Sequence, residues 1–471
     1  MDTQYDFAMI GLGVMGSNLL YNMADNGFSV IGYDLDAKKC AALEESATKG
    51  TTVKGVNSLP EMVSALKKPR KILMLVPAGK PVDSVIQNLL PLVEEGDIII
   101  DGGNSYFNDT LRRVEELKEK KMHFFGMGVS GGEAGARFGP SMMPGGDRET
   151  YEYLKPILES IAAKADGVPC VAFMGNGAAG HYVKMVHNGI EYAMMQMISE
   201  VYDYLHRGCG FSTEEIQQVF ENWNNGQLKS FLISITGTVL KTIDEETGKP
   251  LVEVILDKAG SKGTGKWTSQ ESMNLPVAIP TIDAAVAART ISGYKEEREA
   301  VAKLFAEYER IVEDQDRELI ITMLEDTLSF AFIIAYTQGL SMLSKASVEL
   351  SMEIPLPSVI QVWKAGCIIR SELLVNFQKA FEQNNSLTNL LLDKGIATLL
   401  QEKETAVRKL LIQAIQARIP MPGIMSTVGY FDNYTSEKMP TNLIQAQRDF
   451  FGAHTYQRID KPGIFHTEWQ E

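Results

Sequence analysis

Short apolar runs alternate with amphipathic, helix-like stretches from the N-terminus to about Gly175. Runs of this length flanked by glycines are typical of strands, and the stretches between them are long enough to form helices. This alternation predicts βαβ units and a mostly parallel sheet with helices on its faces. The predicted strands are Phe7–Ile10, Phe28–Tyr33, Ile72–Val76, Ile98–Ile100, His123–Gly126 and Cys170–Phe173.

The pattern changes after Gly177. From Ala178 to about Gln416 it is long, helix-like and rich in Met and Leu, with little period-2 alternation, which predicts an all-helical domain. The last stretch places Pro440 and Gly452 among polar and aromatic residues and cannot form a core of its own, so we expect an extended tail that packs on something else. The predicted division is an α/β domain at 1–177, an all-helical domain at 178–436 and a C-terminal tail at 437–471.

The charge balance of the chain limits its partners. Its 471 residues include 45 Lys and Arg against 60 Asp and Glu, which gives a formal net charge of −15. Broad binding to nucleic acid or to an anionic membrane requires an electropositive face, so we expect neither partner. An anionic small molecule would have to be held by a few local basic residues.

Cysteine and histidine spacing indicates neither a disulfide framework nor a metal site. The four cysteines lie far apart without a CxxC pair, which fits a reduced, cytoplasmic protein. The six histidines lack metal-ligand spacing next to carboxylates, so we expect no metal. We also expect no signal peptide, since no basic segment precedes an apolar core, and the longest apolar run, Leu328–Tyr336, is too short to span a bilayer.

A glycine fingerprint follows the first predicted strand and begins a predicted helix: Gly11-Leu12-Gly13-Val14-Met15-Gly16. Glycines at this spacing allow a tight turn and let the backbone approach a pyrophosphate at the helix N-terminus. The second predicted strand leads into Asp34, at the position where a carboxylate binds the adenosine ribose hydroxyls. A purely structural turn is the alternative for the glycines alone, but this context favours a Rossmann-type dinucleotide-binding domain.

Asp34 also bears on which dinucleotide binds. A carboxylate repels the 2′-phosphate of NADP, which normally requires an arginine just beyond the strand. Here Leu35 and Asp36 follow, and Lys38 and Lys39 lie on a first helical turn, where such side chains are commonly solvated. The local sequence therefore favours NAD over NADP.

Two glycine-rich segments follow later predicted strands. Asp101-Gly102-Gly103-Asn104-Ser105 lies at the carboxyl end of one strand, where ligands bind in open α/β sheets, although an ordinary turn is the alternative. Segment 130–146 begins Ser130-Gly131-Gly132 and combines glycines with hydroxyl side chains, which is typical of a loop around a polar small molecule. A flexible connector is the alternative there, and Phe138 and Pro140 argue against it.

One predicted helix carries ionisable residues on an otherwise apolar surface. Lys184, Asn188, Glu191 and Tyr192 stand at i, i+4, i+7 and i+8, and His187 lies beside them. A lysine and a glutamate two turns apart offer one base and one acid. A solvated polar stripe with an ordinary ion pair is the alternative, which the surrounding apolar residues disfavour.

The segment Gly260-Ser261-Lys262-Gly263-Thr264-Gly265-Lys266-Trp267 nearly matches a phosphate-binding P-loop. Trp267 stands where a P-loop needs Ser or Thr to hold magnesium, and the segment lies among helices instead of after a strand. We therefore reject ATP binding, while the glycines and two lysines can still bind an anion.

Together these segments resemble the decarboxylating 6-phosphogluconate dehydrogenases, within the wider β-hydroxyacid dehydrogenase group. The resemblance extends essentially from end to end and includes the tail segment 442–456, whereas the glycine fingerprint alone identifies only the superfamily. It implies oxidative decarboxylation of 6-phospho-D-gluconate to D-ribulose 5-phosphate and CO2 with a nicotinamide dinucleotide and no metal. It also implies a homodimer in which each tail completes the neighbouring subunit's site.

The resemblance further implies roles for individual residues. Lys184 would be the general base and Glu191 the general acid, and the lysine would need a lowered pKa to act as a neutral amine. The implied substrate-binding residues are Asn104, Ser130, Gly131, Gly132, His187, Asn188, Tyr192, Lys262, Arg289, Arg448 and His454. The implied cofactor-binding residues are Gly11, Leu12, Gly13, Val14, Met15, Gly16, Asp34, Val76, Pro77, Ala78 and Asn104.

Two departures from the family concern the cofactor. Many members have Asn-Arg-Thr where this chain has Asp34-Leu35-Asp36, and they use NADP. Members also commonly carry a lysine in a Val-Lys-Ala-Gly motif where this chain has Val76-Pro77-Ala78-Gly79. Both departures point to an NAD preference, or at least to weakened discrimination for NADP, which the resemblance leaves possible.

Two other functions remain as alternatives. The first is a related β-hydroxyacid dehydrogenase for a small unphosphorylated substrate, which has no use for the basic residues Lys262, Arg289 and Arg448. The second is a catalytically silent dinucleotide-binding regulator, which has no use for Lys184 and Glu191.

Overall fold

The structure is a computed structural model, which describes residues 4–305, 311–312 and 316–469. The first three residues of the predicted α/β domain and the last two of the predicted tail lie outside this range, as do short stretches after residues 305 and 312.

A seven-stranded sheet forms the centre of the N-terminal region. Its strands are β1 (Phe7–Ile10), β2 (Val30–Tyr33), β3 (Val53–Val56), β4 (Lys71–Met74), β5 (Ile98–Asp101), β6 (His123–Ser130) and β7 (Ser141–Gly145). They lie in the order β3-β2-β1-β4-β5-β6-β7, with β1 to β6 parallel and β7 antiparallel to β6. The order of the six parallel strands is that of a Rossmann-type fold, which confirms the predicted fold class for this region.

Helices cover both faces of this sheet. One apolar layer packs α1, α2, α6 and α7 against it, and a second packs α3, α4 and α5 on the opposite face. Strands buried on both faces read as continuous apolar runs, which is why β1, β4 and β5 were evident in the sequence. The helices are α1 (Val14–Asp25), α2 (Ala37–Glu45), α3 (Leu59–Ser64), α4 (Lys80–Leu89), α5 (Phe107–Lys118), α6 (Gly132–Phe138) and α7 (Arg148–Ile161).

One predicted strand is absent from the structure, and several observed strands were not predicted. Cys170–Phe173 is irregular, apart from an isolated bridge between Met142 and Val171, and a short hairpin of β8 (Lys164–Ala165) and β9 (Val168–Pro169) precedes it. The sequence did not predict β3, in which only Val56 is buried, or β7, which contains Pro144. Proline normally argues against a strand, but edge strands tolerate it, and β7 is an edge strand of the sheet.

From Ala179 onward the described chain is mainly helical. The core contains α8 (Ala179–Asp203), which a π-helical turn at Tyr204–Gly208 continues, and α15 (Arg317–Glu349), which packs against it. The other helices are α9 (Thr213–Trp223), α10 (Phe231–Lys241), α11 (Leu251–Val254), α12 (Thr264–Asn274), α13 (Pro280–Ser292), α14 (Lys295–Ala302), α16 (Leu356–Trp363), α17 (Leu373–Gln383), a 3-10 turn at Leu390–Leu392, α18 (Lys394–Gln416) and α19 (Pro422–Thr435).

Helix α15 is the one helix of the described chain that is long and apolar enough to cross a membrane by length and composition. Of its most apolar window, 72% is buried inside the protein, where α15 packs against α8, α18 and α19. A helix at the core of a domain passes the same test.

The C-terminal tail contains a helix, α20 (Thr441–Gly452), before an irregular segment that ends at residue 469. The sequence reading anticipated only extended chain here. The buried carboxylate of Asp449 accepts hydrogen bonds from the backbone N–H groups of Thr455 and Thr467 and from the indole of Trp469. The tail is thus organised around a polar centre, and large apolar side chains such as Phe451 stay exposed.

Candidate active site

The glycine fingerprint follows β1, at the point where the strand order reverses between β1 and β4. Gly11 has φ +96°, and a Cβ on Gly16 would overlap the carbonyl oxygen of Gly11, so both positions require glycine. Gly13 is the N-cap of α1, and no side chain caps that helix end. Backbone N–H groups at such a helix N-terminus are suited to a pyrophosphate, which fits a dinucleotide.

Asp34 lies directly after β2 and faces this loop. Its Oδ2 accepts a hydrogen bond from the backbone N–H of Leu12 at 2.8 Å, and its Oδ1 accepts one from Asp36 at 3.0 Å. Burial raises the pKa of Asp34, but these two bonds and Lys39, 3.4 Å away, outweigh burial and lower it. A carboxylate held ionised beside the fingerprint is a suitable acceptor for ribose hydroxyls.

A cavity of about 330 Å³ adjoins Asp34 at the carboxyl edge of the sheet. Its size and largely apolar walls suit the adenosine half of a dinucleotide. Asp34 is the one charged residue in its lining, while the Asp36 carboxylate caps α2 by accepting the N–H of Lys38. The lining residues are Ile10, Gly11, Tyr33, Asp34, Leu35, Leu59, Val76, Pro77, Pro81, Ser84, Val85 and Asn88.

Helix α8 packs closely against the ends of β6 and β7. A Cβ on Gly180 would overlap the carbonyl oxygens of Gly126 and Met143, and one on Gly128 would overlap the side chain of Lys184. Glycines at these positions allow helix and sheet backbones to approach, which holds Lys184 directly against β6.

A buried cluster of polar side chains surrounds Lys184. Its Nζ lies 3.3 Å from Nδ1 of His187, which in turn lies 3.1 Å from Oδ1 of Asn188 and 3.8 Å from Oε2 of Glu191. The other ring nitrogen of His187 lies 3.4 Å from Oγ of Ser130, at the end of β6. The structure therefore brings together residues from α8 and from the 130–132 loop that the sequence placed in one site.

Burial shifts the ionisation of this cluster toward neutral forms. It lowers the pKa of Lys184, which the charge of Glu191 opposes, and it raises the pKa of Glu191, which Lys184 and Arg289 oppose. Burial, followed by the nearby Lys184 charge, also holds the pKa of His187 well below its ordinary value. The site thus contains an amine whose pKa is lowered and a carboxyl group whose pKa is raised, as a base and an acid in one site require.

A basic group lies at the far end of the α8 face. The guanidinium of Arg289 stacks on the ring of Tyr192, 3.5 Å from its centroid, and donates to the carbonyl of Gly260 at 3.3 Å. Lys262 is exposed on the adjoining loop, which leads into α12 instead of following a strand, in agreement with the rejection of a P-loop. This end of the site can bind an anion.

The tail residues Arg448 and His454 are not brought to the α8 cluster. Arg448 donates to Gln445 within α20, and His454 lies edge-on to the ring of Phe451. Within the described chain, every side-chain hydrogen bond of α20 and of the segment after it stays inside the tail. The single chain therefore contains a site that lacks these two predicted members.

The remaining predicted substrate-binding residues lie in two glycine-rich turns, and one unpredicted residue contacts the α8 cluster. Asn104 is exposed in the turn after β5, and Gly131 and Gly132 adopt positive φ at the start of α6. Trp363, fully buried on α16, lies edge-on to His187 with ring centroids 5.8 Å apart. Sequence reasoning missed Trp363, because nothing local links it to a helix so distant along the chain. Within the described residues, no group of three or more His, Cys, Asp or Glu side chains could hold a metal.

Comparison with known proteins matches both parts of the chain to one family. Residues 6–182 match the NAD binding domain of 6-phosphogluconate dehydrogenase, and residues 180–469 match the C-terminal domain of 6-phosphogluconate dehydrogenase. The decarboxylating 6-phosphogluconate dehydrogenase of Lactococcus lactis subsp. lactis is 48% identical over 99% of both chains. The NADP(+)-dependent, decarboxylating enzyme of Bacillus subtilis is 47% identical over 100% of both.

A solved structure agrees with these relatives. The 6-phosphogluconate dehydrogenase of Plasmodium falciparum, described as apo, with NADP+ and with 6-phosphogluconate, superposes with a TM-score of 0.96. It is 41% identical, and the match covers 98% of this chain and 100% of that one. The matches cover both domains and agree with the glycine fingerprint after β1 and with the polar cluster on α8. The chain belongs to the 6-phosphogluconate dehydrogenase family.

Proposed function

We propose that the protein oxidatively decarboxylates 6-phospho-D-gluconate to D-ribulose 5-phosphate and CO2 while reducing a nicotinamide dinucleotide. The observation that carries this proposal is the buried cluster on α8, where Lys184 and Glu191 lie on either side of His187. A protein that only binds a dinucleotide gains nothing from burying an amine and a carboxyl group there, since burial costs free energy.

Lys184 acts as the general base in this proposal. An ordinary lysine, with a pKa of about 10.4, is almost fully protonated at neutral pH and cannot accept a proton. Burial lowers the pKa of Lys184, so its neutral amine can accept the proton of the substrate 3-hydroxyl. A bound nicotinamide ring supplies the acceptor for the hydride from C3.

The protonated amine of Lys184 then serves the second step. Oxidation at C3 leaves a β-keto acid, whose C1–C2 bond breaks with loss of CO2 and leaves its electron pair in an enediol. The ammonium group of Lys184 polarises the C3 carbonyl, which stabilises the charge that develops on its oxygen. This role requires no metal ion.

Glu191 acts as the general acid in the last step. The enediol needs a proton at the carbon that becomes C1 of ribulose 5-phosphate. Burial raises the pKa of Glu191, which keeps a proton on the carboxyl group at a higher pH than for an exposed glutamate. His187, Asn188 and Ser130 are placed to bind the hydroxyl and carboxylate oxygens of the sugar acid.

The 6-phosphate is assigned to the end of the site that contains Tyr192, Lys262 and Arg289. Arg289 stacks on Tyr192 and has no carboxylate within ion-pair distance among the described residues, so its charge is available to the phosphate. Arg448 and His454 complete this end from the tail of a second copy of the chain. The exposed apolar side chains of the tail support such a homodimer.

For the cofactor we propose NAD over NADP. Asp34 is the one charge lining the adenosine-side cavity, and it would face the 2′-phosphate of NADP. Lys39, the nearest cation, is paired with Asp34 at 3.4 Å. The Bacillus subtilis relative is named as NADP(+)-dependent, and the Plasmodium falciparum enzyme is described in complex with NADP+, so these comparisons favour NADP. The proposed NAD preference is supported by Asp34 and its surroundings alone.

The direct test is turnover of 6-phosphogluconate by the purified protein with NAD or with NADP, followed at the absorbance of the reduced nicotinamide. We expect turnover that yields CO2 and ribulose 5-phosphate. We also expect a higher kcat/KM with NAD than with NADP. Absence of turnover with either dinucleotide would refute the activity. A higher kcat/KM with NADP would refute the cofactor preference and leave the activity standing.

A further inference from the structure

Arg113 lies on α5, outside the residues assigned to substrate or cofactor. Its side chain is 1% exposed, although it carries a full charge. The guanidinium makes contacts on two sides. On the first, Nε donates to Oδ1 of Asp83 at 2.8 Å and Nη2 donates to the carbonyl of Gly79 at 3.1 Å. On the second, Nη1 lies 3.5 Å from Oγ of Ser105 and 3.6 Å from Oδ2 of Asp101. A planar guanidinium can hold several partners in fixed directions at once.

The first side of Arg113 fixes the loop that follows β4. Gly79 is the N-cap of α4, with φ +84°, and it directly follows the predicted cofactor residues Val76, Pro77 and Ala78. Asp83 lies in the first turn of α4. Residues of this loop and helix line the adenosine-side cavity, so Arg113 supports one wall of the cofactor site.

The second side of Arg113 fixes the turn that carries Asn104. The Asp101 carboxylate is completely buried and accepts the backbone N–H of Gly103 at 2.9 Å and the hydroxyl of Ser105 at 2.6 Å. These two bonds lie on either side of Asn104 in the chain and orient its backbone. Arg113 is the cation nearest to this buried carboxylate.

The turn at 101–105 also contacts helix α8, which carries Lys184. The carbonyl oxygen of Asp101 lies 3.0 Å from Nε2 of His181, whose Nδ1 lies 2.7 Å from the hydroxyl of Thr110 on α5. His181 is on α8, one turn before Lys184, and is 2% exposed. The cofactor loop, the Asn104 turn and the start of the Lys184 helix are therefore joined through one buried polar network.

We propose that Arg113 is a positioning residue that holds both the dinucleotide loop at 76–79 and the Asn104 turn, so that cofactor binding and substrate orientation each depend on it. The inference rests on the proposed function, because it concerns that same site. Removing the guanidinium leaves Asp101 buried without its cation, which is costly, and the turn then has to rearrange. Neither Asn104 nor the wall of the cofactor site keeps its position after such a change.

The test compares Arg113→Lys with Arg112→Met, its neighbour on α5. Arg112 also contacts Asp83 at 2.8 Å, but its side chain is 45% exposed and does not reach Asp101. Lysine keeps the charge of Arg113 but cannot contact both sides at once. We expect Arg113→Lys to weaken NADH binding at least fivefold and to lower kcat at saturating cofactor at least tenfold, with Arg112→Met within twofold of the wild type in both.

A second variant isolates the Asn104 side. Ser105→Ala removes the hydroxyl bond to Asp101 without leaving a buried charge unpaired. We expect it to lower kcat at least threefold while NADH affinity stays within twofold of the wild type. If Arg113→Lys changes NADH affinity but not kcat at saturation, or if Ser105→Ala matches the wild type, the dual positioning role of Arg113 is overturned.

The NADH titration is followed by the fluorescence of the bound nicotinamide and needs no sugar acid. A wild-type protein that binds NADH but does not turn over 6-phosphogluconate would refute the proposed function. In that case, an Arg113→Lys affinity equal to that of Arg112→Met would refute the inference separately.

Discussion

At the edge of the sheet, Asp34 is bound to backbone N–H groups and faces an open cavity, whereas Lys184 on α8 is packed against β6 among buried side chains. Hydrogen bonds and a lysine outweigh burial at Asp34 and keep its carboxylate charged. Burial is the largest influence on Lys184 and moves it toward the neutral amine. Hydrogen bonding therefore keeps a charge in the first region, and burial disfavours charge in the second.

This contrast predicts different consequences of substitution in the two regions. A charge at an open edge is screened by water, so its replacement changes the affinity for one cofactor and leaves the fold and chemistry intact. A buried proton donor or acceptor has no other group nearby that can transfer the proton, so replacing it lowers kcat.

The largest effect is expected for Lys184→Met, which removes the proposed base and retains the length of the side chain. We expect kcat to fall by about a thousandfold or more, since general base catalysis contributes roughly 10²–10⁴-fold. NADH should still bind within twofold of the wild-type affinity, measured by fluorescence titration. Lys155→Met, on the surface of α7, is the matched control and should keep wild-type kcat. Turnover by Lys184→Met within tenfold of wild type would contradict the assignment.

The next largest effect is expected for Glu191→Gln, which removes the proposed acid without changing its shape. We expect kcat to fall by about tenfold to a hundredfold, because water can partly replace a general acid. Glu200→Gln is the control on the same helix, since Glu200 is buried but lies outside the Lys184 cluster, whereas the side chain of Glu191 is 21% exposed. Equal kcat values for the two variants would remove Glu191 from the acid role.

The sequence predicted the architecture of the first domain and the residues around Lys184 because both depend on local patterns. Apolar runs identify strands that are buried on both faces, and helical spacing places Lys184, Asn188 and Glu191 on one face. The strand β7 was not predicted, because its place depends on antiparallel pairing with β6, which no local signal reports.

The parts of the site that could not be predicted are those formed by contacts distant in sequence. Trp363 on α16 lies against His187 on α8, and Arg113 on α5 contacts Asp83 on α4, 30 residues earlier in the chain. The matches over both domains favour the phosphogluconate family over a wider β-hydroxyacid dehydrogenase or a silent regulator. The tail roles of Arg448 and His454 stay predictions, since they require a second chain.

An intermediate effect is expected when the charge at the sheet edge is reversed. The triple variant Asp34→Asn, Leu35→Arg, Asp36→Thr removes two carboxylates and introduces one cation just beyond β2. We expect the ratio of kcat/KM for NAD to that for NADP to fall by about tenfold to a hundredfold, because a charge-assisted bond contributes about 1.5–3 kcal/mol. The measurement is initial rates with each dinucleotide at saturating 6-phosphogluconate.

The control for this variant is Asp36→Thr alone. Asp36 acts as the N-cap of α2, and threonine can also cap a helix, so the ratio should stay within twofold of the wild type. A wild-type ratio in the triple variant, with kcat unchanged, would show that Asp34 does not select the cofactor.

The smallest effect is on stability and concerns Glu200, a buried carboxyl group without a proposed part in the chemistry. It accepts hydrogen bonds from the backbone N–H groups of Gly423 and Ile424 at the start of α19 and from Gln196, yet burial raises its pKa to about 7. Asp203, one turn along α8, raises this pKa further. Between the ordinary glutamate pKa and this value, the folded state binds more protons than the unfolded state, so the free energy of unfolding falls as pH rises.

Glu200→Gln should remove this component of the pH dependence. From pH 5 to pH 8, we expect the free energy of unfolding of the wild type to fall by up to about 3 kcal/mol more than that of the variant. Urea denaturation at each pH measures the difference, with Glu152→Gln on the surface of α7 as the control for substitution of an exposed carboxylate. Parallel pH profiles for wild type and Glu200→Gln would mean that the bonds to α19 keep Glu200 ionised despite burial. The pKa of Glu191 would then have to be measured as well. Its proposed role as an acid requires that burial raise this pKa by more than the charges of Lys184 and Arg289 lower it.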